Sequence, residues 1–258
     1  MRILLIRHGD PDYVHDTLTE KGKREAALLA ETAGDLRVGD CYQSPLGRAQ
    51  DTASYTLKKL GLSAKTMPWL QEFPPQIDIN LSEELQRAYP DAGRLENGMY
   101  KKRIVWDMVP GYLTEHPEYL DREKWRESEA ARCGTLVSDY DAVTKAFDAL
   151  LSQYGYEREN LHYRVMRENT ETITCFCHFG ITCVLLSHLW NVSPFVLWHG
   201  LALAPTSVTE VVTEEREQGI AWFRGLRVGD VSHLYRGGEE PSFAARFCET
   251  YGNTEQRH

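Results

Sequence analysis

The stretch Met1-Arg-Ile-Leu-Leu-Ile-Arg-His-Gly-Asp10 decides the fold class of this chain. Residues 3–6 are all apolar, and a short, bounded run of this kind predicts a strand buried on both faces, as in the centre of a parallel sheet. The run ends in Arg7-His8-Gly9. Open α/β sheets bind their ligands beyond the carboxyl ends of the strands. The stretch therefore predicts an α/β protein whose first strand carries a cation and an imidazole to the ligand-binding edge.

The composition is that of an ordinary globular protein, with 42% hydrophobic and 26% charged residues. Its 258 residues are enough for one large α/β domain, or for a medium one with a substantial insertion. No segment approaches the apolar length of a membrane span. The apolar run after Arg2 is also too short for a signal peptide. We therefore expect a cytoplasmic protein that has no membrane partner.

The formal net charge of -9 argues against nucleic acid as a partner, because nucleic-acid binding relies on a basic surface. A small anionic substrate remains compatible with this charge if its pocket is locally positive. Cys175 and Cys177 alternate within a predicted strand, which indicates packing. The other cysteines form no second pair at metal-ligand spacing, so we expect no metal and no cofactor. The oligomeric state is left open.

Helical and extended patterns alternate along most of the chain. The predicted order is a helix from an N-cap at Thr19 to Gly34, a strand at 41–44, a helix from Ser44-Pro45 to Gly61, a strand at 66–70, a helix at 138–154, a hairpin within 156–169, a strand at 173–177, a helix at 180–190 and an antiparallel strand pair at 208–212 and 220–226. This order predicts a three-layer α/β/α sandwich with a mostly parallel central sheet.

The sequence changes character from about residue 73 to residue 136. This region is rich in Trp, Tyr, Arg and Lys and carries helical fragments without a strong strand signal. We interpret residues 1–258 as a single α/β domain with an inserted helical cap at about 73–136.

Five side chains are predicted to meet at the carboxyl edge of the sheet. His8 and His178 each follow a predicted buried strand, Arg7 precedes His8, Arg48 lies in the first turn of a helix, and Glu72 follows the predicted strand at 66–70. Arginines hold phosphoryl oxygens bidentately. A neutral imidazole can attack phosphorus, and a carboxylic acid can protonate the leaving oxygen and then activate water. The set fits phosphoryl transfer through a histidine nucleophile.

These motifs resemble the histidine phosphatase superfamily, also called the phosphoglycerate mutase-like family. The resemblance covers residues 1–72 and about 137–235. Its pieces are Arg7-His8-Gly9, Leu18-Thr19-Glu20-Lys21-Gly22, Ser44-Pro45-Leu46-Gly47-Arg48-Ala49 with Thr52-Ala53, Leu70-Gln71-Glu72, His178-Phe179-Gly180 and Gly229-Asp230-Val231-Ser232-His233-Leu234. Each piece alone is weak, whereas the combination is specific.

The resemblance implies a role for each of the five side chains. His8 becomes the residue that is phosphorylated during turnover. Arg7, Arg48 and His178 become the phosphate pocket, and His178 is also counted as catalytic. Glu72 becomes the proton donor.

The sequence departs from the family after Glu72. Many members have a Gly-x-Trp-Glu-Gly segment there, where this chain has Phe73-Pro74-Pro75. Glu83 or Glu84, at a predicted helix start, is therefore an alternative proton donor.

Two further residues, Asp10 and Tyr13, lie just beyond Gly9 in the sequence and are predicted to line the substrate site. His233 is interpreted as structural rather than catalytic.

The leading interpretation is a phosphatase that hydrolyses a small phosphomonoester through a phosphohistidine, favoured over a mutase by the replaced segment after Glu72 and by the long cap. A mutase that returns the phosphoryl group to its substrate shares the same chemistry up to that intermediate and is the first alternative. The second is a non-catalytic protein that binds a phosphorylated ligand. The presence of Arg7, His8, Arg48 and His178 together argues against the second, because a binder needs no aligned nucleophile.

Overall fold

The computed structural model of the protein describes residues 1–73, 76–242 and 248–257. The strands are β1 (Arg2–Arg7), β2 (Pro11–Asp12), β3 (Thr17–Leu18), β4 (Asp40–Gln43), β5 (Ala64–Thr66), β6 (Gln76–Ile77), β7 (Arg103–Ile104), β8 (Tyr156–Glu159), β9 (His162–Val165), β10 (Thr172–Cys177), β11 (Val208–Glu217), β12 (Ile220–Asp230), β13 (Cys248–Thr250) and β14 (Asn253–Arg257). The helices are α1 (Glu20–Glu31), α2 (Ala33–Leu36), α3 (Gly47–Leu60), α4 (Glu83–Gln86), α5 (Pro110–Glu115), α6 (Glu129–Arg132), α7 (Leu136–Gln153), α8 (Phe179–Trp190), α9 (Pro194–Gly200) and α10 (Ser232–Arg236). Pro74 and Pro75, in the segment that departs from the family pattern, lie outside the described residues.

The large sheet has the strand order β5-β4-β10-β1-β11-β12-β9-β8. Strands β5, β4, β10 and β1 run parallel, and the strands from β1 to β8 pair antiparallel. Residues 3–6 of β1 are fully buried, because β1 has a neighbour on each side and is covered on both faces. The α/β prediction is confirmed: a central sheet is flanked by helices, and its parallel half contains the first strand.

The parallel register brings the two histidine motifs together. Arg7 is aligned with Cys177 in the β1–β10 pair, so that His8 and His178 follow neighbouring strands at the same level. The predicted strand at 173–177, the hairpin within 156–169 and the final antiparallel pair are confirmed. The last pair is longer than predicted, because β11 continues to Glu217 and β12 continues to Asp230.

The strand predicted at 66–70 is wrong over most of its length. Strand β5 ends at Thr66, and Pro68–Leu70 forms a single 3-10 turn. Proline has no N–H to donate to a strand ladder, and its fixed φ suits the first position of a helical turn. Glu72 therefore follows a turn rather than a strand end.

Two predicted helix boundaries also differ. Helix α1 begins as predicted, with the Thr19 hydroxyl accepting the N–H of Gly22 at 3.1 Å, but it ends at Glu31 rather than at Gly34. Helix α7 begins at Leu136 rather than at Ser138. Its first turn is closed by Thr135, whose carbonyl accepts the N–H of Asp139 at 2.9 Å.

The chain divides into two compact units. The first contains residues 1–72, 148–182 and 202–258, and the second contains residues 73–147 and 183–201. The second unit begins where the insertion was predicted, and its core contains the buried rings of Tyr119, Trp125 and Phe195. That this unit serves as a cap stays a prediction. Within the part of the chain that is described, no helix combines the length and apolar character needed to cross a membrane.

Candidate active site

His8 is buried at the end of β1, with 1% of its surface exposed. Its backbone N–H donates to the carbonyl of Cys177 at 3.0 Å. Its ring Nδ1 lies 2.8 Å from the carbonyl oxygen of Gly9. A carbonyl oxygen can only accept, so Nδ1 carries the ring hydrogen and Nε2 keeps its lone pair. This tautomer is the one that a nucleophilic imidazole requires.

His178 is fully buried, and its ring centroid lies 5.0 Å from that of His8. Its Nε2 lies 2.7 Å from the hydroxyl of Ser44, which also accepts the N–H of Leu46 at 3.1 Å. The Ser44 hydroxyl can donate its hydrogen to His178 Nε2, and in that arrangement the ring hydrogen is on Nδ1. Nδ1 is buried and finds no partner among the described residues.

Ser44 was predicted to cap a helix with Pro45 at its first position, and this prediction is wrong. Helix α3 begins at Gly47, with Leu46 in the N-cap position. The Ser44 N–H donates to the carbonyl of Phe176 at 2.9 Å, so Ser44 still belongs to the extended chain beside β10. Its hydroxyl then binds His178 and the Leu46 N–H instead of the first helical turn.

Burial and positive charge keep both imidazoles neutral. Loss of solvation, followed by the charge of Arg7, lowers the pKa of His8 from 6.5 to about 3. Burial likewise lowers the pKa of His178 far below its usual range, with His8, Arg48 and Arg7 adding to the effect. Two uncharged imidazole rings and two arginines therefore share one region. Protonation of either imidazole would be opposed by repulsion from the arginine charges. This is a locally positive focus in a protein of net charge -9.

The two arginines reach this region from different elements. Arg7 is the last residue of β1, and its Nη1 donates to the carbonyl of Leu203. Arg48 lies in the first turn of α3, as predicted. Its Nη1 donates to the carboxylate of Asp16 at 2.5 Å, whereas its Nε is buried and has no partner within the described chain. A buried guanidinium N–H without an acceptor suits an anionic ligand.

The backbone of Arg7 and His8 is held from the β11 side as well. Ser207 accepts the N–H of Arg7 at 3.1 Å, and Thr206 donates to the carbonyl of His8 at 3.1 Å. Thr206 has a φ of 58°, which is unusual for a β-branched residue. His233 Nε2 lies 2.9 Å from the Thr206 hydroxyl. This contact fits the structural interpretation of His233, and no sequence motif marks Thr206.

Gly9 is required by a close approach to the start of α1. A Cβ at this position would lie 2.8 Å from the carbonyl oxygen of Gly22. The Gly9 N–H donates to the hydroxyl of Thr52 at 2.9 Å. Because Thr52 lies on α3, the glycine turn connects the His8 strand to the helix that carries Arg48.

Glu72 lies at the start of the helix that follows His178. Its Oε1 accepts the N–H of Ile181, in the first turn of α8, at 3.2 Å. The charge of Glu72 also contributes, after burial, to the raised pKa of Cys177. Glu72 is thus close to the end of β10, and its role as proton donor stays a prediction.

The alternative carboxylates lie in the second unit. Glu83 is exposed in the first turn of α4. Glu84 accepts from Arg87 at 2.8 Å and lies 3.0 Å from Nε2 of His116. The carboxylate of Glu84 is therefore already engaged within its own unit.

Asp10 and Tyr13 occupy different environments. The Asp10 carboxylate accepts from the hydroxyls of Thr19, at 2.7 Å, and Ser242. Tyr13 is 66% exposed, and its ring lies 5.3 Å from the guanidinium carbon of Arg48. Tyr13 therefore lies beside Arg48, a predicted phosphate-binding residue. The Asp10 carboxylate instead makes hydrogen bonds within the fold. A substrate-lining role for either residue stays a prediction.

The described residues contain no group of three or more His, Cys, Asp or Glu side chains placed to hold a metal ion. Whether turnover needs a metal is a question for chelation experiments.

Glu25 is a buried carboxyl group directly behind the glycine turn. It has no exposed surface, and its Oε2 accepts the N–H of Asp10 at 2.8 Å. Its Oε1 is buried without a partner in the part of the chain that is described. Burial, with the charge of Asp10 adding to it, raises the pKa of Glu25 from 4.5 to about 7.

This raised pKa predicts a stability loss with rising pH. Between about pH 4.5 and pH 7 the unfolded state releases the Glu25 proton while the folded state retains it, so the free energy of unfolding falls as pH rises. Glu25→Gln keeps an acceptor for the Asp10 N–H and removes the Glu25 contribution to the pH dependence of stability. Relative to wild type, we expect the variant to be about 3 kcal/mol more stable at pH 8 than at pH 4.5, measured by urea unfolding. Glu20→Gln, on the same helix but exposed, is the control; a Glu25→Gln variant with the wild-type pH dependence would contradict the assignment.

Comparison with known proteins shows which family these features resemble. The sequence model of the histidine phosphatase superfamily (branch 1) matches residues 3–102, which include Arg7, His8, Arg48 and Glu72. A 2,3-bisphosphoglycerate-dependent phosphoglycerate mutase from Thermoplasma acidophilum is 31% identical over 132 residues. The match covers 47% of this chain, and it spans only 58% of the length of that relative.

Solved structures show the same fold at low sequence identity. A mutant phosphoserine phosphatase from Entamoeba histolytica, in complex with phosphoserine, has a TM-score of 0.56 and 16% identity, and the match covers 90% of this chain and 98% of that one. A mycobacterial glucosyl-3-phosphoglycerate phosphatase with inorganic phosphate has a TM-score of 0.56 and 19% identity, with the same coverage of 90% and 98%. With the motifs around both histidines, these matches make the chain similar to the histidine phosphatase superfamily, whose family model covers residues 3–102.

Proposed function

We propose that this protein is a phosphatase that hydrolyses a small phosphomonoester through a phosphohistidine on His8. The observation that carries the proposal is a pair of buried, neutral imidazoles 5.0 Å apart beside two arginines. Two buried donors in this group, Arg48 Nε and His178 Nδ1, have no protein acceptor among the described residues. Phosphoryl oxygens would supply the missing acceptors.

The first half-reaction uses the tautomer of His8. Nε2 attacks phosphorus, the bond between phosphorus and the ester oxygen breaks, and the leaving oxygen takes a proton from Glu72. The ring becomes cationic as the N–P bond forms. Its Nδ1–H already points at the carbonyl of Gly9, which stabilises that charge. Arg7, Arg48 and His178 stabilise the negative charge on the phosphoryl oxygens.

The second half-reaction regenerates the enzyme. Water attacks the phosphohistidine, the Glu72 carboxylate takes a proton from that water, and the N–P bond breaks to release phosphate and neutral His8. Glu72 is then protonated again and ready for the next ester. The depressed pKa of His8 keeps Nε2 unprotonated between the two reactions over the neutral pH range.

A mutase is the second candidate, and the similarity to a phosphoglycerate mutase favours it. The two activities differ in what accepts the phosphoryl group from His8, water or a second hydroxyl of the substrate. 3-Phosphoglycerate supplied with a trace of 2,3-bisphosphoglycerate separates them. A hydrolase releases inorganic phosphate, whereas a mutase forms 2-phosphoglycerate without net phosphate release.

Chelation and phosphate analogues test the proposed chemistry. We expect p-nitrophenyl phosphate turnover to persist in excess EDTA, because imidazole, carboxylic acid and arginines supply every step. Vanadate and inorganic phosphate should inhibit competitively by binding the arginines and His178. Loss of turnover in EDTA that a divalent ion restores would overturn the metal-free mechanism.

The proposed location is the cytoplasm. It is supported by free, buried cysteines among the described residues: Cys41, Cys133, Cys175 and Cys177. Reduced thiols of this kind are typical of a reducing compartment.

A further inference from the structure

The short hairpin formed by β2 and β3 places one carboxylate, Asp16, against the start of α3. Its Oδ1 accepts from Nη1 of Arg48 at 2.5 Å, and its Oδ2 accepts the N–H of Gly47 at 2.7 Å. One carboxylate therefore binds both the phosphate-site arginine and the helix turn that carries it.

The contact leaves the other edge of the Arg48 guanidinium available. Asp16 engages Nη1, while Nε, on the opposite side of the planar group, is buried without an acceptor in the described residues. Arginine binds phosphoryl oxygens through pairs of N–H groups in a fixed plane. Holding Nη1 and the Gly47 backbone fixes that plane before the anion arrives.

The backbone conformation allows Asp16 to lie close to Gly47 at the start of α3. Asp16 has a φ of 49°, a left-handed conformation that aspartate tolerates better than most residues. A Cβ on Gly47 would lie 2.2 Å from the carbonyl oxygen of Asp16, so no larger residue fits there unless the hairpin moves. The neighbouring Thr17 hydroxyl donates to Asp51 on α3, which gives the hairpin a second attachment to the same helix.

We infer that Asp16 is a positioning residue, which orients Arg48 for the phosphoryl group by holding its Nη1 and the first turn of α3. The inference rests on the proposed function of this site. Asp16 adds a negative charge near the pocket, so a purely electrostatic effect would make its removal tighten anion binding. A positioning effect has the opposite sign, because the freed arginine must be ordered again each time an anion binds.

The test compares variants from both sides of the contact. Asp16→Ala removes both bonds, and Gly47→Ala displaces the hairpin although alanine is the better helix former. Asp16→Asn keeps an uncharged acceptor and serves as the conservative rescue. Asp12→Asn is the matched control, because the Asp12 carboxylate lies in the same hairpin and, among the described residues, binds His15 and Val14 of that hairpin. Inorganic phosphate binding is measured by calorimetry, with KM and kcat for p-nitrophenyl phosphate and the Tm of each protein.

We expect Asp16→Ala and Gly47→Ala to weaken phosphate binding about 10- to 100-fold and to lower kcat/KM by a similar factor. Asp16→Asn should lie between these variants and wild type, and Asp12→Asn should match wild type. Phosphate binding that is unchanged or tighter in a folded Asp16→Ala protein would overturn the inference, as would an equal loss in Asp12→Asn. If wild type itself neither binds phosphate nor hydrolyses the ester, the proposed function fails instead.

Discussion

Replacement of His8 by alanine is expected to lower kcat for p-nitrophenyl phosphate by about three orders of magnitude or more. The variant retains Arg7, Arg48 and His178 and should still bind phosphate. It lacks the Nε2 lone pair that the Gly9 carbonyl directs by holding the hydrogen on Nδ1. Rapid acid-free quenching of wild type should also trap a phosphorylated imidazole, which the variant cannot form.

The fold of this variant should survive. His8 follows the apolar residues 3–6 of β1, and its strand contacts are made by the backbone N–H and carbonyl, which alanine keeps. Circular dichroism and thermal unfolding check this point. His15→Ala is the matched control, because His15 is an exposed imidazole in the nearby hairpin. A folded His8→Ala protein that turns over at nearly the wild-type rate would contradict the phosphohistidine mechanism.

The position of the site follows from local sequence to a considerable extent. A run of apolar residues at 3–6 must be buried on both faces, which places β1 inside the sheet. A second such run before His178 must lie inside as well. Parallel pairing of two interior strands brings their carboxyl ends to one edge. The meeting of His8 with His178 was therefore predictable from the sequence.

Element boundaries were less predictable where a polar side chain could bind either a local or a distant partner. Ser44 followed by Pro45 has the pattern of a helix start, and serine is a good N-cap. In the fold its hydroxyl meets His178 at 2.7 Å, a residue far away in sequence. At Pro68 the apolar neighbours suggested a strand, but the missing N–H favours a 3-10 turn. Local sequence patterns do not show which of two such conformations the folded chain adopts.

The residues that support the site were not predictable at all. Asp16, Glu25 and Thr206 support the site through contacts with Arg48, Asp10 and His8. An aspartate in a turn or a glutamate on a helix has the ordinary pattern of a solvated surface residue. Their burial and partners depend on which loops meet, and that is fixed by the packing of the whole unit.

Glu72→Gln is expected to lower hydrolysis of alkyl phosphates by roughly two to four orders of magnitude, the usual scale for a general acid. Glutamine keeps the carbonyl oxygen that accepts the N–H of Ile181, so the side chain should stay in place. It cannot give a proton to the leaving oxygen. An alkoxide needs that proton, whereas p-nitrophenolate is a weak base and leaves without it. Cleavage of p-nitrophenyl phosphate should therefore fall much less.

The comparison requires that transfer to His8 is the step observed. Pre-steady-state bursts on the two substrates isolate this step from the later attack of water, in which the same carboxylate acts as a base. Arg48→Ala is the matched control. It removes stabilisation of the phosphoryl oxygens, which both substrates need equally, so it should slow both bursts by a similar factor.

A Glu72→Gln variant whose two bursts fall equally, or not at all, would show that the proton comes from elsewhere. Equal loss would point to a role for Glu72 in holding the first turn of α8 beside His178, since this effect does not depend on the leaving group. No loss would remove Glu72 from the first step altogether. Glu83 would then be the next residue to replace, because it is exposed while Glu84 is engaged by Arg87 and His116.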